Sequence, residues 1–400
     1  MTLDALETQS PEERRAYQAR RLAETVQHAR ERSPYFRRTL PAVAESLEQI
    51  PITRKDDLPA MQAGEPPFGG LLGVEMPGLA RVFASPGPIF DPQGPEEDYW
   101  RFRLALAAAG FRRGMVAINS ASYHLTPLGF MLDGAARSLG CVVIPAGTGQ
   151  TDLQARIAGS LGATAYLGTP SFLYTLLKHG RDAGAPLRIE AAFVTAEMFP
   201  ESLRADLLRE FGVRALQGYG TAELGCLAYE CPERGGMHLH PDAIIEVIDL
   251  ETRKPAAAGQ PGELVVTIFD TTYPLLRFAP GDIGALAPDA PCPCGRTAPK
   301  LAGLLGRTGD AVKVKGMFIR GAEIEKALKA FPAVARFQAV VTREQHQDQL
   351  EYVVELAPGA TVDPAAVGEA LREAVKVRGE VRVGVVPEKA KRIDDRRVWR

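Results

Sequence analysis

From Gly114 onward, short apolar runs alternate with longer stretches whose apolar residues return at helical spacing. The strand-like runs are 115–119, 141–145, 164–168, 192–195 and 214–218. Helix-like segments at 128–139, 152–161, 171–183 and 200–211 separate them. Strand, helix, strand at these lengths predicts an α/β domain with a doubly wound, mostly parallel sheet. Such sheets bind ligands at the carboxyl ends of their strands. The turns GTPS (168–171), VTAE (194–197) and GYGTAE (218–223) fall there. Before this block, 11–36 reads as one helix stopped at Ser33-Pro34. After His240, AIIEVID, GELVVTIFD, YPLLRFA and IGALA read as short strands between Pro/Gly turns, a β-rich subdomain over about 241–305. From 306 to 400 a small α+β domain follows: strand AVKVKGMFI, helix AEIEKALKAF, strands FQAVVT and LEYVVEL, and helix PAAVGEALREAV. The expected domains are therefore 1–305, large, and 306–400, small.

Composition narrows the function classes. A net charge of -2 over 400 residues gives no electrostatic reason to expect nucleic acid or an anionic membrane as partner. No apolar run has the length of a bilayer crossing, and no signal-peptide core is present, so a cytoplasmic protein is expected. Five cysteines, two of them as Cys292-Pro-Cys294, do not make a secreted disulfide framework.

Cys231, His238 and the Cys292/Cys294 pair form a cysteine–histidine set in two halves. Thiolate and imidazole are the ligands zinc prefers, and four protein ligands make a closed, structural Zn²⁺ site. His240 competes with His238 for the histidine place, and Cys226 is a further alternative.

The other candidate chemistry lies in Tyr219-Gly220-Thr221-Ala222-Glu223, a turn able to present N–H groups and a carboxylate to a nucleotide. Downstream, PLLRFAPGD places Arg277 and Asp282 around a strand end, where an aspartate can accept from vicinal ribose hydroxyls. GRTGD (306–310) and KAKRIDDRR (389–397) add Arg307 and a basic C-terminal loop.

The order YGTAE, PLLRFAPGD, CPCGRTAPK, GRTGDAVKVKGMFIRGAEIE and KAKRIDDRR resembles the phenylacetate-CoA ligase family of adenylate-forming enzymes. The first helix and PITRKDDL (51–58) extend the resemblance over nearly the whole chain. It implies activation of a small carboxylic acid, phenylacetate-like or another aryl acid, by ATP to an acyl-adenylate. The acyl group then passes to coenzyme A, and AMP leaves. By the same resemblance Glu223 is the Mg²⁺-binding carboxylate and Asp282 the ribose acceptor, with Arg307 beside it. Tyr219, Gly220 and Thr221, with Thr195, Ala196 and Glu197, border the nucleotide. Lys389 bridges carboxylate and phosphate during adenylation, with Lys391 as its competitor, and the small domain is mobile. Tyr123 and His124 are candidates for the acyl pocket. Family members are often dimers, and a homodimer is left open.

Three departures stand out. Where the family carries SSGTTGxPT, this chain reads FASPGPIFDP (83–92), keeping Ser85 and Gly87. Prolines remove backbone donors that cradle phosphate, and Asp91 adds a charge of the wrong sign. Ala222 replaces a hydroxyl residue, with Thr221 next to it as substitute, and Gly309 stands where a hinge acid is usual, with Asp310 following. These departures define an alternative: an ATP-independent adenylate- or acyl-binding homologue that has lost triphosphate handling.

Overall fold

The computed structural model describes residues 3–41, 46–85, 88–308, 311–315, 317–344, 347–388 and 390–397. Lys389, Pro86, Gly87, Gly309, Asp310, Gly316 and His346 lie outside them. The chain divides into two compact units: Met1–Ala196 with Leu207–Thr308, and Glu197–Asp206 with Gly309–Arg400.

In the first unit five parallel strands lie in the order Val142–Pro145, Val116–Asn119, Ala165–Gly168, Ala191–Val194 and Ala215–Thr221. Three of them, those starting at Val116, Ala165 and Ala191, bury nearly every side chain, as a sheet covered on both faces requires. Tyr166 and Phe193 are fully buried in them. Truncating such a side chain to alanine costs roughly 3–5 kcal/mol. Local sequence sets the helix starts: Thr169 accepts from Phe172 N, with Pro170 at the first helical position of Pro170–Asp182.

The β-rich stretch continues the same hydrogen-bonded sheet. Gly225–Tyr229 pairs antiparallel with Ala215–Thr221, and Met237–Leu239, Lys300–Arg307, Asp282–Leu286 and Gly262–Ile268 follow in turn. Ala243–Ile248 pairs with the last of these. The expected strand at YPLLRFA shrinks to Phe278–Ala279, because Arg277 takes φ +43 and turns its side chain onto Glu246.

The expected single helix over 11–36 is two, Pro11–Arg32 and Pro34–Thr39. Ser33 ends the first, its N–H bonding Ala29 O at 2.9 Å, and caps the second by accepting from Phe36 N. Pro34 cannot donate into the first helix and starts the second.

The second unit holds a four-stranded sheet in the order Glu380–Val383, Gln347–Leu356, Val334–Glu344, Ile393–Asp395, with helices Gly321–Leu328 and Pro364–Val375. The expected strand AVKVKGMFI is a hairpin, Ala311–Val314 with Met317–Arg320, and Lys315 at φ +49 begins its turn. Among the described residues no helix is long and apolar enough to cross a membrane.

Candidate active site and metal centre

Strand register assembles the first group. Asp282 opens its strand directly opposite Arg307, which closes the neighbouring one. Arg307 Nη1 lies 3.1 Å from Asp282 Oδ1, and Arg307 Nη2 donates to Pro280 O at 2.7 Å. From the Ala215–Thr221 strand, the Tyr219 hydroxyl donates to Asp282 Oδ2 at 2.7 Å. Burial, then the Asp282 charge, pushes Tyr219 well above the ordinary phenol range, so it stays a donor. Each carboxylate oxygen retains a lone pair able to accept a hydroxyl. The Tyr219 hydroxyl is thereby committed to orienting Asp282.

The turn around Gly220 follows from a bulge between Tyr219 and Gly220. A Cβ at Gly220 would lie 2.4 Å from Gly225 O, so only glycine fits. Thr221 Oγ1 accepts from Leu224 N at 3.2 Å, closing the turn that presents Glu223. Thr195 donates to Gly218 O at 2.8 Å, and Ala196 takes the left-handed conformation at φ +70, uncommon for a residue with a Cβ. Glu197 begins the segment grouped with the second unit.

Glu223 itself is buried, with Lys55 Nζ 2.5 Å from its Oε1. Burial favours its neutral form, but the ammonium and its hydrogen bonding outweigh that and hold the carboxyl below its usual range. Lys55, in PITRKDDL, was not singled out from the sequence; its partner is 168 residues away, beyond any local signal.

In FASPGPIFDP the described residues before and after 86–87 are mostly in strands. Arg81–Ser85 and Ile89–Gln93 form a two-stranded antiparallel hairpin, with Ser85 opposite Ile89 and Phe83 opposite Asp91. The Ser85 hydroxyl donates to Ile89 O, so it serves the hairpin. Alternating apolar positions in VFAS and IFDP explain why the segment extends. Asp91 points inward and is 1% exposed. Burial, reinforced by the Glu223 charge and only partly relieved by Lys55, pushes its carboxyl up to about 8.

Cys231, His238, Cys292 and Cys294 come together, their ligand atoms all within 4.8 Å of one another. Cys231 Sγ and Cys292 Sγ are 3.7 Å apart, and Cys294 Sγ is 3.5 Å from His238 Nε2. A tetrahedral zinc with arms of about 2.3 Å spaces its sulfurs roughly 3.7 Å apart, so the donor set and its spacing suit that ion. His238 Nδ1 donates to Ala298 O at 3.1 Å, which leaves Nε2 as the free ligand atom. Burial lowers His238 to about 4, keeping the ring neutral. His240 is not in the cluster: its Nδ1 accepts from Asp242 N, and its ring packs edge-on against Tyr229. Cys226 is buried in the core of the parallel sheet. Behind the cluster Glu7 accepts from Tyr229 at 2.6 Å and pairs with Arg296 at 2.5 Å, tying the N-terminal turn to the CPCGRT segment.

Elsewhere, Tyr123 is held by Asn119 and Asp133. Lys391 supplies a carbonyl to Gln338, whereas Lys389 is outside the described residues.

Comparison with known proteins identifies the class, that of the adenylate-forming enzymes. A family profile described as AMP-binding enzyme matches residues 109–268. The phenylacetate-coenzyme A ligase of Thermus thermophilus is 34% identical, over 88% of this chain and 83% of that protein. The Escherichia coli enzyme of the same name is 28% identical, over 88% and 85%. Among solved structures, 2-hydroxyisobutyryl-CoA ligase in complex with 2-HIB-AMP and CoA superposes with a TM-score of 0.88 at 24% identity, covering 98% of this chain and 91% of that one. The chain belongs to the phenylacetate-CoA ligase family.

Proposed function

We propose that this protein is an AMP-forming acid–CoA ligase acting on an aryl or closely related carboxylic acid. In the first half-reaction a carboxylate oxygen of the acid bonds to the α-phosphorus of ATP, and the bond to pyrophosphate breaks. In the second, the coenzyme A sulfur bonds to the acyl carbon of the adenylate, and AMP leaves as its C–O bond breaks. Asp282 accepts from the ribose hydroxyls, oriented by Tyr219 and Arg307. Glu223 is the residue to hold Mg²⁺, which when bound neutralises charge on the phosphates. Lys389 steadies the developing charge during adenylation; losing one positioned cation of this kind typically costs on the order of 10²-fold or more in rate. Cys231, His238, Cys292 and Cys294 suit a zinc ion whose part is structural. The reaction belongs in the cytoplasm, where its cosubstrates are, and a homodimer fits the family.

The observation that carries this reading is the Asp282 carboxylate braced on both oxygens, from two strands, beside the GYGTAE turn. Pyrophosphate and AMP release over a panel of aryl and short-chain acids tests it, with ATP-dependent turnover on at least one aryl acid expected. No turnover with any acid, by folded protein, overturns it. The prolines standing where the family carries its phosphate loop favour one second reading, an adenylate- or acyl-binding homologue without triphosphate handling. That reading predicts calorimetric binding of AMP and none of ATP.

A further inference from the structure

The turn that presents Glu223 is gripped from outside by one short segment, 98–101. Thr221 pairs with Gly225 across the turn, so Ala222, Glu223 and Leu224 form its loop. Leu224 is fully buried, and side chains meet both of its backbone polar groups. Its N–H donates to Thr221 Oγ1 at 3.2 Å, and its carbonyl accepts from Arg101 Nη2. Two residues on, Cys226 N donates to Trp100 O at 2.8 Å. A Cβ at Gly225, where φ is +70, would lie 2.5 Å from that same Trp100 oxygen, so the two backbones touch.

The gripping segment is itself anchored. Asp98 accepts from Phe102 N at 2.9 Å and from Arg103 N at 3.0 Å. The Tyr99 hydroxyl donates to Asp270, and Arg101 N donates to Asp98 O at 2.9 Å. Arg101 nevertheless carries two costs. Its φ is +62, in the left-handed region uncommon for a residue with a Cβ. Its Nε is buried without a hydrogen-bond partner. One hydrogen bond to a carbonyl contributes about as much as either cost removes, so the arginine adds little to net stability. Strained backbone of this kind collects where placement of a group matters. What Arg101 does add is a fixed position for the residue that follows Glu223.

We infer that Arg101 is a positioning residue: through Leu224 O it aims the Glu223 carboxylate, without itself touching a substrate. The inference rests on the ligase reading for the work Glu223 does, which is at the phosphates. A misplacement of about 1 Å in a reacting site can cost on the order of 10²-fold in rate. Pyrophosphate has left before the second half-reaction begins. A poorly aimed Glu223 therefore slows adenylation and spares thioester formation.

The test compares Arg101→Met, which loses the donor and keeps an apolar stem, with Arg101→Lys, which keeps a cationic donor. On the full chain the readouts are hydrogen–deuterium exchange over 220–226, pyrophosphate release with an aryl acid, and thioester formation from chemically prepared aryl-adenylate and coenzyme A. Arg101→Met is expected to exchange faster in that stretch and to adenylate about 10-fold more slowly or worse, in kcat rather than in the KM of the acid. Its thioester formation is expected to stay within about threefold of the unsubstituted chain, and Arg101→Lys to recover most of the adenylation rate. Arg101→Gly also loses the donor but suits φ +62, and it replaces Arg101→Met if that variant does not fold. Equal losses in both half-reactions, following the thermal midpoint, would mean a role in folding only and overturn the inference. Unchanged adenylation in Arg101→Met overturns it too, and neither result touches the ligase reading. An unsubstituted chain that performs neither half-reaction overturns the ligase reading, and the inference falls with it.

Discussion

The Lys55 ammonium lies 2.5 Å from Glu223 Oε1, joining the segment PITRKDDL to the turn GYGTAE inside the protein. The Glu223 side chain is fully buried and that of Lys55 is 9% exposed. Removing one partner of a buried pair strands the other charge, which typically costs about 3–5 kcal/mol, whereas removing both is far milder. Here Lys55→Met would leave Glu223 beside Asp91 with no cation at all. It is expected to destabilise by about that much, and Lys55→Met combined with Glu223→Gln to recover most of the loss. Urea denaturation of both single variants and the double variant measures the coupling; additive effects would contradict it.

The brace on Asp282 separates binding from folding. Asp282→Asn replaces an acceptor-only carboxylate with an amide, half of which is a donor, so two ribose hydroxyls can no longer both be accepted. AMP affinity measured by calorimetry is expected to fall about 10-fold or more, since hydrogen bonds to charged groups contribute roughly 1.5–3 kcal/mol. Tyr219→Phe removes only the orienting donor and is expected to weaken AMP by severalfold less.

The cysteine–histidine cluster predicts one zinc per chain by elemental analysis. Cys294→Ser or His238→Asn is expected to lose it, while His240→Asn keeps it, because His240 bonds to Asp242 and packs on Tyr229 instead. Stripping the metal with a strong chelator is expected to lower the thermal midpoint by several degrees. The Glu7–Arg296 pair and the hydrogen bonds of Thr297 to Glu7 O and Gln9 O would still tie the N-terminal turn to CPCGRT.

How much of this was legible depends on how far apart the deciding residues lie. The parallel strands read well because each is a short apolar run between helical segments, a local signal. YPLLRFA misled because its apolar residues suit burial, yet Arg277 must leave extended geometry to reach Glu246. Gly225–Tyr229 went unread because all its residues are buried, so it shows no alternation. The four members of the cysteine–histidine cluster were legible as a group, being residue types with few other uses in that pattern. The choice of His238 over His240 was not, since it turns on strand register. The Asp282–Arg307 pair was visible through motif order, but the Lys55–Glu223 pair joins two distant segments and needed the fold.

Asp91 gives the last prediction its sign. Its carboxyl is pushed up to about 8 in the folded chain, chiefly by burial and then by Glu223, from an ordinary value of 3.8. Between these two values the unfolded chain has already released the proton that the folded chain still holds. The contribution of the neutral acid to stability is therefore complete below about pH 4 and is lost as pH rises through about 8. Asp91→Asn carries no such proton. In EDTA, the stability of the unsubstituted chain minus that of Asp91→Asn is expected to fall steadily from pH 5 to pH 8, by at most a few kcal/mol. The groups facing Asp91, namely Glu223, Lys55, Ser85 and Tyr273, are common to both proteins, so the difference isolates its titration. Chemical denaturation at four pH values suffices, and a flat difference would mean that Asp91 is ionised in the fold throughout.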